Sequence, residues 1–118
     1  MSLFDKYGGE RYWTSVLTSF LQTVAQEEQL GHFFTGVNLT TLCSSMVVLF
    51  QQALGFDPGH FPTSIHRTHA HLNIQLSHFN RFVQVFQEAI VKNGVTDDDV
   101  REITEVLLAF QREVVKKP

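Results

Sequence analysis

Cysteine is nearly absent from this chain: Cys43 stands alone, so an internal disulfide is excluded. Basic charge is not in excess either. The net charge of -3 at pH 7 offers no general attraction to a phosphate backbone, so nucleic acid is not an expected partner. Long hydrophobic runs are missing, because apolar stretches such as Met46 to Phe50 fall far short of a membrane span. The first residues lack the basic, then apolar, then small order of a secretory signal, and a cytoplasmic setting is the expectation. Two of the three prolines, Pro58 and Pro62, crowd into one stretch and the third ends the chain. No repeat, low-complexity segment or hairpin signal breaks the remainder. What is present is a hydrophobic fraction of 43% against 18% charged residues, a globular balance. With 118 residues there is material for one core and not two, so a single domain spanning residues 1–118 is expected.

The apolar residues recur at helical spacing. Trp13, Val16, Leu17, Phe20, Leu21 and Val24 form one stripe that matches no strand alternation and starts beyond the bend of Gly8-Gly9. Leu39, Leu42, Met46, Leu49, Phe50 and Ala53 form a second stripe, with Asn38 placed to accept an orphan amide at its start. From Gly55 to Ser64 two glycines and two prolines with no apolar period predict an extended loop, after which Thr63 or Ser64 caps a short helix. Phe79, Phe82, Val83, Phe86 and Ile90 mark a third long helix that stops near Gly94. In the fourth, Thr96 is the expected cap and Asp97, Asp98 and Asp99 suit the positive end of the helix dipole. Val95 and Val100 have staple spacing, and Val100, Ile103, Leu107, Phe110 and Val114 form the buried face. The predicted class is all-α, with four substantial helices and one long loop.

Two concentrations of residue type stand out. Half of the six histidines fall in His66-Arg67-Thr68-His69-Ala70-His71. On a regular helix His66 and His69 share a face while His71 points roughly 200° away, so the three do not meet at one metal, and zinc would need ligands from elsewhere, with Cys43 a candidate by default. Surface histidines without a role are the plainer alternative. Eleven phenylalanines exceed what a small helical core usually holds, and several sit on three different helices. A Phe-rich core is one explanation and a large flat apolar ligand is another. An imidazole on a short helix facing a phenylalanine-lined pocket is the proximal arrangement of a haem protein. No Cys-His, Ser-His-acid, Gly-x-Ser-x-Gly, Walker or Gly-x-Gly-x-x-Gly pattern is present. Helix-start electrostatics explains the triple aspartate better than a bound cation does.

The ordered fragments LFDKYGGE (3–10), LGHFFTGVNL (30–39), QALG (52–55), THAHLNIQLSHF (68–79) and NGVTDDDV (93–100) resemble the group I truncated haemoglobins over essentially the whole chain. The resemblance implies the two-over-two helical sandwich around one haem b, with a loop in place of most of the proximal helix. It also selects His69 as the iron ligand. His66 takes a position where the family often has Lys or Arg near a haem propionate, with Arg67 beside it, while His71 and His78 carry no ligand role. Phe34 corresponds to the haem-stacking phenylalanine with Phe33 beside it, and Phe50, Ile74, Phe79 and Phe86 to other wall positions.

The departures from the family pattern bear on chemistry. Where the family commonly has Phe-Tyr on its second helix, with the hydroxyl bonding dioxygen, this chain has Phe20-Leu21, and the next two distal positions are Leu42 and Met46. None of Leu21, Leu42 and Met46 donates a hydrogen bond. Thr18 or Gln22 would serve only if that helix were rotated. Losing a bond worth about 0.5 to 1.5 kcal/mol, more for a charged acceptor, should speed oxygen release roughly tenfold or more. No histidine follows His78, which excludes the C-terminal covalent haem link of some relatives, and Ser45 stands where certain relatives place a second axial histidine. The expected function is reversible binding of O2, NO and CO at a five-coordinate iron in an apolar distal pocket, in oxygen transport, nitric oxide handling or gas sensing. The same pocket argues against an efficient nitric oxide dioxygenase. The alternatives are a six-coordinate redox or electron-transfer protein, with Met46 the only nearby ligating atom, and a haem-free interaction module. A reductase partner and a monomer or weak homodimer complete the expectation.

Overall fold

The computed structural model describes residues 2–56, 69 and 72–115, all helix, turn or connector. Residues His66, Arg67 and His71, the Thr63 or Ser64 cap and the loop beyond Phe56 lie outside the described residues. The helices are α1 (Leu3–Lys6), α2 (Gly9–Gln26), α3 (Leu39–Gln51), α4 (Leu76–Lys92), α5 (Asp97–Leu108) and α6 (Gln111–Val114). A 3-10 turn at Gly31–Phe34 follows α2, and a π turn at Gln52–Phe56 prolongs α3. The longest four pack as two pairs, α2 with α3 and α4 with α5, joined where α2 crosses α4. This is the expected two-over-two arrangement.

Local chemistry sets most of the boundaries. Gly8 at φ 129° admits the bend before α2, since a side chain there would be strained and its Cβ would meet that of Tyr12 at 3.0 Å. Asn38 accepts from the Thr41 amide at 3.1 Å and caps α3 as expected. The end of α4 is a Schellman motif. Gly94 takes φ 91°, its amide donates to Val91 O at 3.1 Å, and the Val95 amide reaches back to Ile90 O at 3.0 Å.

The α2 stripe is buried as predicted: Trp13, Val16, Leu17, Phe20, Leu21 and Val24 are all inaccessible. Thr18 donates its hydroxyl to Thr14 O at 2.7 Å and Gln22 is exposed, so the helix is not rotated from the expected register. Around this stripe the rings interlock edge to face. Phe20 packs on Phe82 and Phe86 with centroids 5.0 and 5.2 Å away, and Phe50 reaches both Trp13 at 5.7 Å and Phe86 at 5.4 Å. Such pairs add roughly 0.5–1.5 kcal/mol each beyond the area they bury.

Four expectations are corrected. The deepest face of α3 is Cys43, Val47 and Phe50, continued by Leu54, whereas Leu39, Leu42, Met46 and Leu49 are half-buried. With valine and cysteine interspersed, α3 is apolar on more than one side, and spacing alone did not choose the innermost side. Gly55 and Phe56, placed in the loop by the sequence, belong instead to the π turn that prolongs α3 and buries Ala53 and Leu54. The fourth long helix does not run to Val114. It ends at Leu108, and the break turns Phe110 onto Ala53 before α6 begins. Thr96 has the extended backbone of a cap but no side-chain capping bond. Its hydroxyl lies 3.5 Å from that of Tyr7.

Candidate functional site

Asp99 ties two distant segments of the chain together. Only 7% exposed, it accepts from Lys6 Nζ at 2.7 Å and from the Tyr7 hydroxyl, fastening α1 to the start of α5. The Lys6 bond, then the Tyr7 bond, hold the Asp99 carboxyl below its usual range, against the opposing effect of burial. Dipole electrostatics thus suffices for the exposed Asp97 and Asp98, while Asp99 has a tertiary role. A buried partner 92 residues away leaves no mark in local sequence.

The expected site residues divide by burial. Leu21, Phe50, Phe79 and Phe86 are buried, at 5% exposure or less. Phe34, Leu42, Met46 and Ile74 are half-buried. Phe50 and Phe86 join α3 to α4. Toward the N-terminal ends of the same helices lie Leu42 and Met46 on one side and Phe82 on the other, with Phe33 and Phe34 supplied by the 3-10 turn. All five pack against the same core while keeping part of their surface uncovered. Phe82 was not among the expected wall residues, although its place on the α4 stripe was a usable signal.

His69 is helical and half-buried. Between it and α4 the chain turns sharply at Asn73, whose φ of 56° is the left-handed conformation that asparagine tolerates best among residues with side chains. The turn is secured from both ends. Gln75 donates to Asn73 Oδ1 at 3.1 Å, and the Gln75 amide donates to His78 Nδ1 at 3.0 Å in a reciprocal capping box. That bond requires an unprotonated Nδ1 on His78. The His78 ring also stands edge-on to Phe33, centroids 5.0 Å apart, with His32 at 5.9 Å. The sequence therefore located His78 but missed its structural task.

Arg81 binds Glu27 at 2.9 Å, joining α4 to the end of α2. The bond from Arg81, then one from the Gln29 amide, hold the Glu27 carboxyl low. An open cleft of about 630 Å³ adjoins this pair, but Glu27, Asn80, Arg81 and Gln84 make its walls polar and unsuited to a large apolar ligand.

His69 and the half-buried apolar residues have the chemistry that a haem requires. His69 offers an imidazole of the kind that holds haem iron, and Phe33, Phe34, Leu42, Met46, Ile74 and Phe82 offer apolar surface not yet fully buried. Among the described residues no group of three or more His, Cys, Asp or Glu side chains is placed to hold a bare metal ion. The histidine-rich segment itself lies mostly outside those residues.

Comparison with known proteins agrees with this architecture. The family model described as bacterial-like globin matches residues 2–116. The group 1 truncated hemoglobin GlbN of Mycolicibacterium paratuberculosis is 28% identical over 113 residues, which is 96% of this chain and 83% of that protein. The crystal structure of truncated hemoglobin from Tetrahymena pyriformis in its Fe(III) form superposes with a TM-score of 0.87 at 20% identity, over 99% of this chain and 100% of that one. The 2/2 hemoglobin from Synechococcus sp. PCC 7002, solved in the cyanomet state with covalently attached heme, gives 0.83 at 19% identity over 96% and 95% of the two chains. From helix pairing to family match, the chain belongs to the bacterial-like globins, among the group 1 truncated hemoglobins, a family that binds haem and diatomic gases.

Proposed function

We propose that this protein holds haem b through His69 and reversibly binds O2, NO and CO on a distal face formed by Leu21, Leu42 and Met46. The observation that carries the reading is a half-buried imidazole, His69, in a fold that keeps Phe33, Phe34, Leu42, Met46 and Phe82 half-buried against its core. Haem, when bound, would supply an iron centre able to take a diatomic ligand. The chain's own residues do the rest. His69 holds the iron, the capped turn at Asn73 and Gln75 sets where the His69 segment leaves α4, and the phenylalanine wall keeps water out. His66 is proposed to meet a propionate.

Leu21, Leu42 and Met46 have no N–H or O–H to offer, so the partial negative charge of bound dioxygen goes unmatched there. Weak oxygen retention with less penalty for CO and NO follows. This suits gas sensing or nitric oxide handling better than oxygen transport or an efficient dioxygenase. A cellular reductase would keep the iron ferrous, and the proposed setting is cytoplasmic, as a monomer or weak homodimer. No helix among the described residues is long and apolar enough to cross a membrane. No histidine follows His78, so the haem is proposed to be held without a covalent link.

The test is the optical spectrum of haem-supplemented protein, ferric, ferrous and with carbon monoxide, beside His69→Ala. A stoichiometric five-coordinate ferrous spectrum that is lost or reshaped in the variant is expected. Six-coordinate ferrous iron would shift the assignment toward Met46 and redox chemistry, and failure of the wild type to retain haem would end the gas-binding reading.

A further inference from the structure

Asn93 is followed by glycine, whereas Asn38, Asn73 and Asn80 are followed by leucine, isoleucine and arginine. Asparagine is a thermally labile residue, and its weak point is the backbone nitrogen of the residue that follows, which can attack the side-chain amide. Glycine presents that nitrogen with no Cβ to shield it and with the widest choice of backbone angles. Asn93 and Gly94 are both exposed, so water reaches them freely. Composition and exposure thus favour reaction at this pair.

The fold opposes it. Asn93 caps the C-terminal end of α4 with φ -96° and ψ 17°. At that ψ the tetrahedral arrangement at Cα turns the Gly94 nitrogen away from Cβ, whereas ring closure needs the two eclipsed. Three hydrogen bonds keep it so: Asn93 Nδ2 donates to Ala89 O at 2.7 Å, the Gly94 amide donates to Val91 O at 3.1 Å, and the Tyr12 hydroxyl donates to Asn93 O at 2.9 Å. The first holds the leaving group, the second occupies the proton that a base must remove, and the third ties the carbonyl between them to α2. Burial, then the neighbouring Tyr7, push the Tyr12 hydroxyl above its ordinary value, so this donor persists into the alkaline range where the side-chain amide is attacked fastest.

We propose that Asn93-Gly94 is a guarded self-modification site, closed while Tyr12 and the last turn of α4 hold it and converted to aspartate or isoaspartate when that turn opens. In the open state the Gly94 nitrogen bonds to Asn93 Cγ as the Cγ–Nδ2 bond breaks, and the side-chain nitrogen leaves as ammonia with the proton lost by the Gly94 amide. Water then adds to either carbonyl of the cyclic imide. One opening yields aspartate, and the other yields isoaspartate, whose main chain runs on through Cβ and Cγ. Neither product closes the turn again. A carboxylate at this position cannot donate to Ala89 O, and it adds negative charge at the negative end of the α4 dipole. The longer main chain of isoaspartate also carries the Gly94 and Val95 amides away from Val91 O and Ile90 O, which undoes the Schellman motif. Modification is therefore a one-way release of the corner between α4 and α5, and it records each local opening that led to it.

The test incubates the full chain at mildly alkaline pH, in buffer and in denaturing guanidinium chloride, and follows aspartate and isoaspartate at each asparagine by peptide mass spectrometry. In the denatured chain Asn93 should convert well ahead of Asn38, Asn73 and Asn80. In buffer it should convert at least about tenfold more slowly than in denaturant, because the bonds that hold the turn must first be lost. Tyr12→Phe keeps the ring and removes only the hydroxyl; it should speed conversion in buffer about fivefold and leave the denatured rate unchanged. In the same variant, amide hydrogen exchange should quicken more at Gly94 and Val95 than at Leu17 in α2, which separates local opening from a general loss of stability. Equal rates in buffer and denaturant, an unchanged rate in Tyr12→Phe, or exchange that quickens alike at Leu17 and Gly94 each overturn the guard. Faster conversion of another asparagine in the denatured chain overturns the site itself.

Discussion

Replacing Asp99 by alanine should loosen the junction of α1 with α5, and the loss has a definite pH signature. The carboxylate accepts from Lys6 Nζ at 2.7 Å and from the Tyr7 hydroxyl, with its side chain 10% exposed. Bonds to a charged group contribute about 1.5–3 kcal/mol when buried. The Lys6 side chain is half-exposed, so solvent screens its share, and the Tyr7 bond carries most of the effect. Truncation also lets Tyr7 turn to Thr96 or water, which recovers part of the loss. About 2 kcal/mol at neutral pH is the expected cost of Asp99→Ala, equivalent to roughly 6–10 °C in Tm for a chain of this length. The folded-state pKa of Asp99 is depressed, so its contribution is present above the unfolded carboxylate value of about 3.9 and disappears as the pH falls through the folded one. Urea denaturation followed by circular dichroism at pH 7 and again near pH 3 measures both quantities. The wild type should exceed the variant by the full margin at pH 7 and by clearly less at the acid pH. A cost under about 0.5 kcal/mol at pH 7, the size of an ordinary surface change, or a cost equal at the two pH values, would refute the account of Asp99 as a buried anionic fastener.

Three further outcomes follow from other parts of the molecule. Phe86→Ala removes the ring shared by Phe20 and Phe50 at a site with no exposure, and should cost about 3–5 kcal/mol in urea titration. His78→Ala should lose about 1 kcal/mol through the Gln75 amide it leaves uncapped; His78→Gln restores a capping acceptor and should recover most of this, and equal losses in both would show that ring packing matters more. Leu21→Tyr places a hydroxyl donor on the proposed distal face and should slow oxygen release roughly tenfold in stopped-flow, so an unchanged off-rate would remove Leu21 from that face.

The helices were legible in the chain because their information is local. The stripe from Trp13 to Val24, the cap at Asn38 and the stop at Gly94 each depend on residues a few positions apart, and the structure contains all three. The globin resemblance was legible for a related reason: short motifs keep their order and spacing along the chain. Helix α3 marks where local information ended. Several of its faces are apolar, and only packing against α2 made Cys43, Val47 and Phe50 the innermost side. That choice also left Leu42 and Met46 at the half-buried edge where a ligand can still be met.

By itself, then, the sequence determined the helical class, the positions of most caps and stops, the family, and which side chains are chemically able to hold iron or to withhold a hydrogen bond from its ligand. Tertiary structure alone decided which of those groups are buried and which meet. Asp99 is one of three consecutive aspartates until α1 folds onto α5 and brings Tyr7 to it from 92 residues away. Tyr12, Trp13 and Phe50 are scattered aromatic residues until α2 and α3 pack and set their rings 5–6 Å apart. The physical reason is the same in both cases: helical periodicity is written in neighbouring residues, whereas the burial of a charge and the contact of two rings depend on chain segments whose approach no local pattern encodes.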